Sequence, residues 1–365
     1  MIPRAGLKNV LGTSISRPRY GVGTMEARKF ERLKARIAGG LTAVQCFDLA
    51  SVLKKAAQSG LAEVVIAQGE KMVAEDRTCR HCGHGDVVLH GKDEKGRQRF
   101  RCRRTDAGGC GRTFNGLTRT VLARMRKPDL WMAYAQTMPV HLSVKKTAAQ
   151  LGVSHVTAHR WRVRLLSAQT VQESATLKGV VEADETFFRT SFKGSRGWKR
   201  GHPPENRRPR YRGGKAMKPG LSGEQVPVLT AVDRADGVMD RVLPSRAGIV
   251  AAIEGKIEKG SVLCTDGLVS YAEVAGRAGA EHRRIDPPKK DWLTKAKGQK
   301  PRRPGVLGLG HVNAHHQRLK QFINVQARGV STKYLPDYLG WSRAVRRPGF
   351  MPFNLIADPL IHRKL

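Results

Sequence analysis

Apolar positions change their spacing several times along this chain, and each change marks a new element. In "RKFERLKARIAGG", Phe30, Leu33 and Ile37 fall on one helical stripe that Gly39 and Gly40 stop. "TAVQCFDLASVLKKAAQSG" and "LAEVVIAQGEKMVA" predict two further helices, so residues 25–75 read as an N-terminal helical region. Cys46 sits among apolar residues there and is expected to be buried. Residues 76–116 lose their aliphatics and fill with Cys, Gly and Arg; residues 117–172 return to helical spacing. From residue 178 the period falls to two, and "KGVVEADETFF", "EQVPVLTAVDR", "VMDRVLP" and "GSVLCTDGLVSY" read as strands. Helical patterns around 312–326 and 331–345 close the region, with a tail at 346–365. The class expected is α/β, a mixed sheet with flanking helices over 173–345.

Three stretches have no core-forming pattern. Residues 1–24, rich in Gly, Ser, Arg and Pro, read as a flexible basic arm. Arg189–Lys218 holds eleven Lys or Arg and one acid, Glu205, and reads as a loop or hairpin. Residues 287–304 form a second basic loop.

Charge sets the partner class. The chain has 67 Lys and Arg against 30 Asp and Glu, a formal net charge of +37. A balance that basic, with an ordinary 40% hydrophobic content, points to a folded protein that meets a polyanion, nucleic acid first. No run of about 18 apolar residues offers a membrane span, and the basic N-terminus lacks an apolar secretory core. The expected place is the cytoplasm.

Four of the six Cys lie between Cys79 and Cys110: Cys79-x2-Cys82, then Cys102-x7-Cys110. A CxxC turn presents two thiolates on one side, and a second pair completes a tetrahedron around one structural Zn²⁺. The second pair is wide for a zinc ribbon. An insertion, "RTDAGG", accounts for it, with His81, His84 or His90 as substitutes for one thiolate. Arg97, Arg99, Arg101, Arg103 and Arg104 make this module suited to phosphate rather than to catalysis.

"SVKKTAAQLGVSHVTAHRWRVRLL", residues 143–166, reads as a helix-turn-helix. Thr147, Ala148 and Leu151 belong to the first helix, Gly152 and Val153 to the turn, and Ala158 and Trp161 return to the core. Ser154 is placed to cap the second helix. That helix is expected to expose His155, Thr157, His159, Arg160, Arg162 and Arg164 to DNA. Arg207, Arg208, Arg210, Arg212 and Lys215 of the first basic loop are expected to track the DNA backbone.

The chemistry sits in "VVEADETFF", where an apolar run meets Glu182, Asp184 and Glu185. Alternation puts Glu182 and Asp184 on one face. Eighty-two residues later a second apolar run ends at Asp266. Either Asp alone reads as a turn-former. Together, in a basic chain, they suit a Mg²⁺ site that works on phosphate. On the late helix, "GHVNAHHQRLKQFI" offers no acid but Asn313, His315 and His316, with Lys320 two turns beyond Asn313 on its face.

These segments, with "RGGKAMKPGLSGEQVPVLTAVDR" and "HVNAHHQRLKQFINVQARGVSTKYLPDYLGW", resemble the insertion-sequence transposases of the IS-fifteen-ninety-five (ISXO-two-like) group over roughly residues 76–345. The resemblance implies a zinc ribbon at 76–116, a helix-turn-helix domain at 117–172 and a ribonuclease-H-like catalytic domain of the DDE type at 173–345. Some members carry Asn for the Glu, followed by Lys seven residues later. The resemblance therefore implies Asp184, Asp266 and Asn313 around two Mg²⁺ (or Mn²⁺) ions, and Lys320 as a DNA contact. It further implies binding of terminal inverted repeats, two-metal cleavage, joining of 3′-hydroxyl ends to target DNA, and a homo-oligomer on double-stranded DNA. A regulator with an inactive core and a Mg-dependent nuclease or resolvase are the alternatives. The stretched second knuckle and the helical region before it depart from the group's usual pattern.

Overall fold

The structure, a computed structural model, describes residues 40–106, 108–169, 176–204, 222–244, 248–285, 307–347 and 349–361, with a few positions between 29 and 35. The expected arm 1–24, the stripe through Phe30, Leu33 and Ile37, the loop carrying Arg207, Arg208, Arg210, Arg212 and Lys215, and the basic loop 287–304 lie outside the described residues. The chain divides into two compact units, Met1–Ala56 and Ala57–Leu365. The Cys cluster, the helices after it and the large sheet all belong to the second.

Helix α1, Ala43–Asp76, is continuous across Gly60, where two helices were expected. An interior glycine costs about 1 kcal/mol; Leu61, Ala62, Val65 and Ile66, packed into a large core directly after it, offset that. Cys46 is exposed, against the expectation of burial. Among the described side chains of α1, those that reach this core run from Leu61 onward, and Cys46 is not one of them, so an apolar neighbourhood in sequence did not mean a buried one.

A small antiparallel sheet follows, β1 (Val87–Lys92), β2 (Gln98–Cys102) and β3 (Thr113–Asn115) in that order. It is fastened to α1 by two glycines. A Cβ on Gly116 would lie 2.4 Å from the Gly69 carbonyl carbon, so only two bare backbones approach this closely. Helices α2 (Trp131–Thr137), α3 (Val144–Leu151) and α4 (His155–Gln169) come next. Gly152 ends α3 at φ +60, and Ser154 Oγ accepts from Thr157 N at 3.1 Å, the expected turn and cap.

The large sheet has the order β6-β5-β4-β7-β8, from strands β4 (Val180–Arg189), β5 (Gln225–Asp233), β6 (Val238–Val242), β7 (Val262–Thr265) and β8 (Glu281–Arg284). The first three pair antiparallel; β7 and β8 run parallel to β4. Helices α5 (Ile249–Ile253) and α6 (Val269–Ala278) cover one face, around Val181, Ala183, Leu229 and Tyr271. Helices α7 (Gly310–Lys320) and α8 (Leu335–Ala344) cover the other, where Phe188 and Val228 share a core with Trp131, Trp161 and Trp341. A last helix, α9 (Asn354–Ile361), joins that core through Leu355 and Ile356. Antiparallel meander, central first strand and parallel continuation make this a ribonuclease-H-like sheet, as expected. No helix among the described residues is long and apolar enough to cross a membrane.

Candidate active site

Strand β4 does not end at its acids; it runs on to Arg189. What ends there is its pairing with β7, whose last registered pair is Glu182 with Cys264. Carried two residues past that pair, the register aligns Asp184 with Asp266, which follows β7 directly, and the Asp266 charge acts on Asp184. Neighbouring strands lie about 4.8 Å apart, so two carboxylates distant in sequence become neighbours. The chain leaves β7 through Gly267 at φ +90, where a Cβ would meet Arg284 at 2.6 Å.

Burial raises the Asp184 pKa to about 6, with the Glu185 and Asp266 charges adding to the rise while the Glu185 N–H and Lys320 oppose it. A carboxylate pressed upward by burial and like charge, with open oxygen acceptors, gains from a divalent cation. The donor set here fits one. Asp266 is exposed, and its Oδ1 accepts from Leu268 N at 3.3 Å.

The three acids of "EADE" separate by strand parity. Glu182, 1% exposed, takes the N-terminus of α7: Oε2 accepts from His311 N at 2.7 Å and Val312 N at 3.1 Å, and Oε1 lies 2.9 Å from His311 Nδ1. It is saturated as a cap. Asp184 shares that face, with His316 Nδ1 at 3.8 Å from Oδ2. Glu185 turns to the opposite face and accepts from Tyr271 of α6 at 2.6 Å.

Helix α7 thus lies across β4, β5 and β6. The cross-strand row Asp184, Thr230, Asp240 runs beneath it. His315 and His316 meet the two ends of that row: His315 Nε2 donates to Asp240 Oδ1 at 3.0 Å. Asp240 is buried and also accepts from Thr230 Oγ1 at 2.9 Å and Arg343 Nη1 of α8 at 3.4 Å. Burial alone would raise its pKa; His315, Arg343 and Thr230 overcome that and hold it at about 2. Burial, with His315 and Lys320, pushes His316 down to about 4, so it is neutral at pH 7. Its Nε2 is buried and has no hydrogen-bond partner among the described residues. Asn313 is exposed, one turn before His316, and Lys320 is exposed at the end of α7. The Asp240 network was not read from sequence. Its one signal was a polar residue inside the apolar strand "VMDRV".

The Cys79, Cys82, Cys102 and Cys110 sulfurs all lie within 4.8 Å of one another. Cys79 and Cys110 are 3.6 Å apart, Cys82 and Cys102 3.7 Å. A Zn–S bond of 2.3 Å makes the edge of a sulfur tetrahedron about 3.8 Å, so the cluster fits a zinc site. The expected insertion turns back on itself, with Thr105 and Gly108 exchanging backbone hydrogen bonds at 2.9 Å, which brings Cys110 to the cluster. The N–H of His84 lowers the Cys82 pKa to about 6, favouring the thiolate.

On α4, His155, His159 and Arg160 are exposed, and Thr157 and Arg164 are half-buried. Arg162 is a correction: it is 7% exposed, donating to Leu142 O at 2.9 Å and Tyr134 Oη at 3.3 Å and lying over the Trp341 ring. Its turn of α4 packs against α8 as well as within the helix-turn-helix, so no side of it reaches solvent. Arg164 Nη1 is engaged with Ala123 O at 2.6 Å.

Residues 176–341, a little under half of the chain, match the family model of the ISXO2-like transposase domain. That stretch of the chain is similar to this transposase domain. Strands β4 to β8, Asp184, Asp266 and α7 all fall inside the matched stretch. Two solved structures are similar. One, 11% identical, is the simian T-cell lymphotropic virus intasome in complex with PP2A regulatory subunit B56 gamma, over 57% of this chain and 67% of the other, with a TM-score of 0.26. The second, also 11% identical, is a pre-cleavage Mos1 transpososome, over 63% and 74%, with a TM-score of 0.23. No curated protein matches the chain.

Proposed function

We propose that this chain is a DNA transposase. It binds the terminal inverted repeats of its element, cleaves to free 3′-hydroxyls and joins those ends to target DNA, as an oligomer assembled on DNA beside the nucleoid in the cytoplasm. The observation that carries the reading is that Asp184 and Asp266, each two residues past the last β4–β7 pair, interact by charge within the stretch that matches a transposase domain.

Asp184 and Asp266 hold Mg²⁺ or Mn²⁺. When bound, such cations activate the attacking oxygen and neutralise the leaving one. Asn313 supplies a neutral third oxygen from α7, and Lys320 offers its ammonium to phosphate beside Asp184. Glu182 fixes the start of α7 and Asp240, through His315, fixes its middle, so the helix presents its side chains to Asp184 at a set height. Cys79, Cys82, Cys102 and Cys110 hold one Zn²⁺, and the ribbon, the helix-turn-helix and the catalytic region act in that order along the chain. His155, Thr157, His159 and Arg160 read DNA, while Arg207, Arg208, Arg210, Arg212 and Lys215 hold its backbone.

A strand-transfer assay with DNA from the borders of the coding region tests this. Asp184→Ala and Asp266→Ala should each abolish cleavage while DNA binding persists. Full cleavage by both variants would sink the reading. Cleavage without joining would make the chain a nuclease or resolvase, and binding without cleavage by the unaltered protein a regulator. Asn313→Ala should lower activity strongly; a near-normal Asn313→Ala beside an inactive His316→Ala would move the third ligand to His316.

A further inference from the structure

Between β3 and α2 the chain makes a run of tight turns, Asn115 to Lys127, that none of the roles above uses. Its apolar residues, Leu117, Leu122 and Met125, are buried in the large core. Successive backbone hydrogen bonds close it: Thr118 N to Asn115 O, Thr120 N to Leu117 O, Ala123 N to Thr120 O and Met125 N to Leu122 O. At its start the Gly69–Gly116 contact fixes it to α1, and Arg164 holds Ala123 O from α4. The turn is therefore rigid, and what it presents outward is cationic: Arg119, Arg124, Arg126 and Lys127 are all exposed.

Three of these adopt a backbone that side chains rarely take, Arg119 at φ +59, Arg124 at φ +58 and Lys127 at φ +55. Glycine or asparagine holds that conformation at less cost. Strain of this kind persists where the side chain has a task. Arg119 and Arg124 line two adjoining grooves. One, of about 550 Å³, leads to Arg99, Thr113 and His81 of the Cys module; the other, of about 460 Å³, leads to Arg164 and Ser167 of α4. Together they form one trough with the two arginines on its shared rim. The acid that lines it, Asp93, has Oδ1 occupied by Lys95 N and Arg97 N at 2.9 Å each. At the α4 end Arg164 lies four residues beyond the exposed Arg160, on the same helical face.

We infer that this trough binds the sugar-phosphate backbone of duplex DNA, carrying the footprint of α4 toward the Cys module, with Arg119 and Arg124 as its phosphate contacts. The guanidiniums of Arg119 and Arg124, with the hydroxyls of Thr118 and Thr120, give the open rim of the trough the donors that phosphate oxygens accept from. The contact positions DNA and reads no bases. The inference rests on the DNA-binding part of the proposed function and not on its chemistry.

The test uses the full chain and fluorescence anisotropy, on duplex DNA from the element's border and on an unrelated duplex of equal length, across a salt series. Arg119→Asn with Arg124→Asn should weaken binding to both duplexes by the same factor, about tenfold near 0.1 M salt, and reduce the slope of log affinity against log salt by about 2. Because asparagine tolerates the left-handed backbone, the Tm should hold or rise, and the Gly pair should raise it further. That pairing of weaker binding with undiminished stability separates a contact residue from a structural one. An unchanged affinity and slope in the double variant, with the unaltered protein binding normally, would overturn the trough alone. Loss of Tm in step with affinity in both the Asn and Gly pairs would also overturn it. Failure of the unaltered protein to bind either duplex would overturn the DNA reading with it.

Discussion

Arg162 and Asp240 decide more than their sequence surroundings suggest. Arg162 joins α4 to Leu142, Tyr134 and Trp341 at once. Arg162→Ala strands buried acceptors and an aromatic stack, and should cost about 2–4 kcal/mol in denaturant unfolding. It should leave base preference unaltered in any surviving folded protein, whereas His159→Ala, on the exposed face, should shift preference between DNA ends without loss of stability. Competition binding on end variants checks both. Asp240 carries a pH dependence. Its pKa is depressed from an ordinary 3.8 to about 2, so its contribution is complete above about pH 4 and is lost as pH falls toward 2. That difference is worth roughly 2 kcal/mol. Unfolding free energies between pH 2 and 5 should rise less steeply in Asp240→Asn than in the unaltered protein, and Asp240→Asn should be the less stable at pH 7.

At the scale of elements, α7 is held by carboxylates rather than by its own propensity. It starts at Gly310, and Glu182 satisfies backbone donors of its first turn. Glu182→Ala should free that turn at a cost of about 1–3 kcal/mol, seen as faster amide exchange over 310–314 and a fall in cleavage larger than the fall in DNA binding. The small sheet has a different problem. Its buried core is Val73, Cys79, Val87, Phe100, Cys102 and Phe114, too few apolar groups to hold three short strands. The Zn²⁺ proposed for its four thiolates would supply much of its folding energy. Cys82→Ser, or a strong chelator, should release protection over 79–114 while β4 to β8 stay protected. Metal analysis of the folded protein should find one zinc per chain, and finding none would remove that account.

For the molecule as a whole, the core around Trp131, Trp161 and Trp341 takes in α1, the helix-turn-helix, one face of the large sheet, α8 and α9. Packing of that extent leaves the helix-turn-helix little freedom against β4. On the proposed function, DNA held by α4 and the trough would therefore meet Asp184 and Asp266 along a fixed path, within a chain of net charge +37.

What the sequence determined is what covalent spacing controls. Period two and period 3.6 marked the strands β4 to β7 and the late helices, because side-chain direction follows from backbone geometry alone. Cys79-x2-Cys82 and the glycine-rich return to Cys110 defined the thiolate cluster, because a tight turn joins each pair. Gly152 and Ser154 marked the turn and cap of the helix-turn-helix by local hydrogen bonds. Even Asp184 and Asp266 were legible as strand-associated acids in a basic chain. Tertiary structure decided how these parts face one another. Helical period places Arg162 at an angle about the α4 axis, but only the arrival of Trp341 from α8 turned that angle into the interior. Strand parity put Glu182 and Asp184 on one face, but only α7 made one a helix cap and left the other beside Asp266. Asp240 joined His315 and Arg343 through a register between segments up to 103 residues apart. Such pairings depend on which surfaces bury each other, a property of the whole packing and of no single stretch.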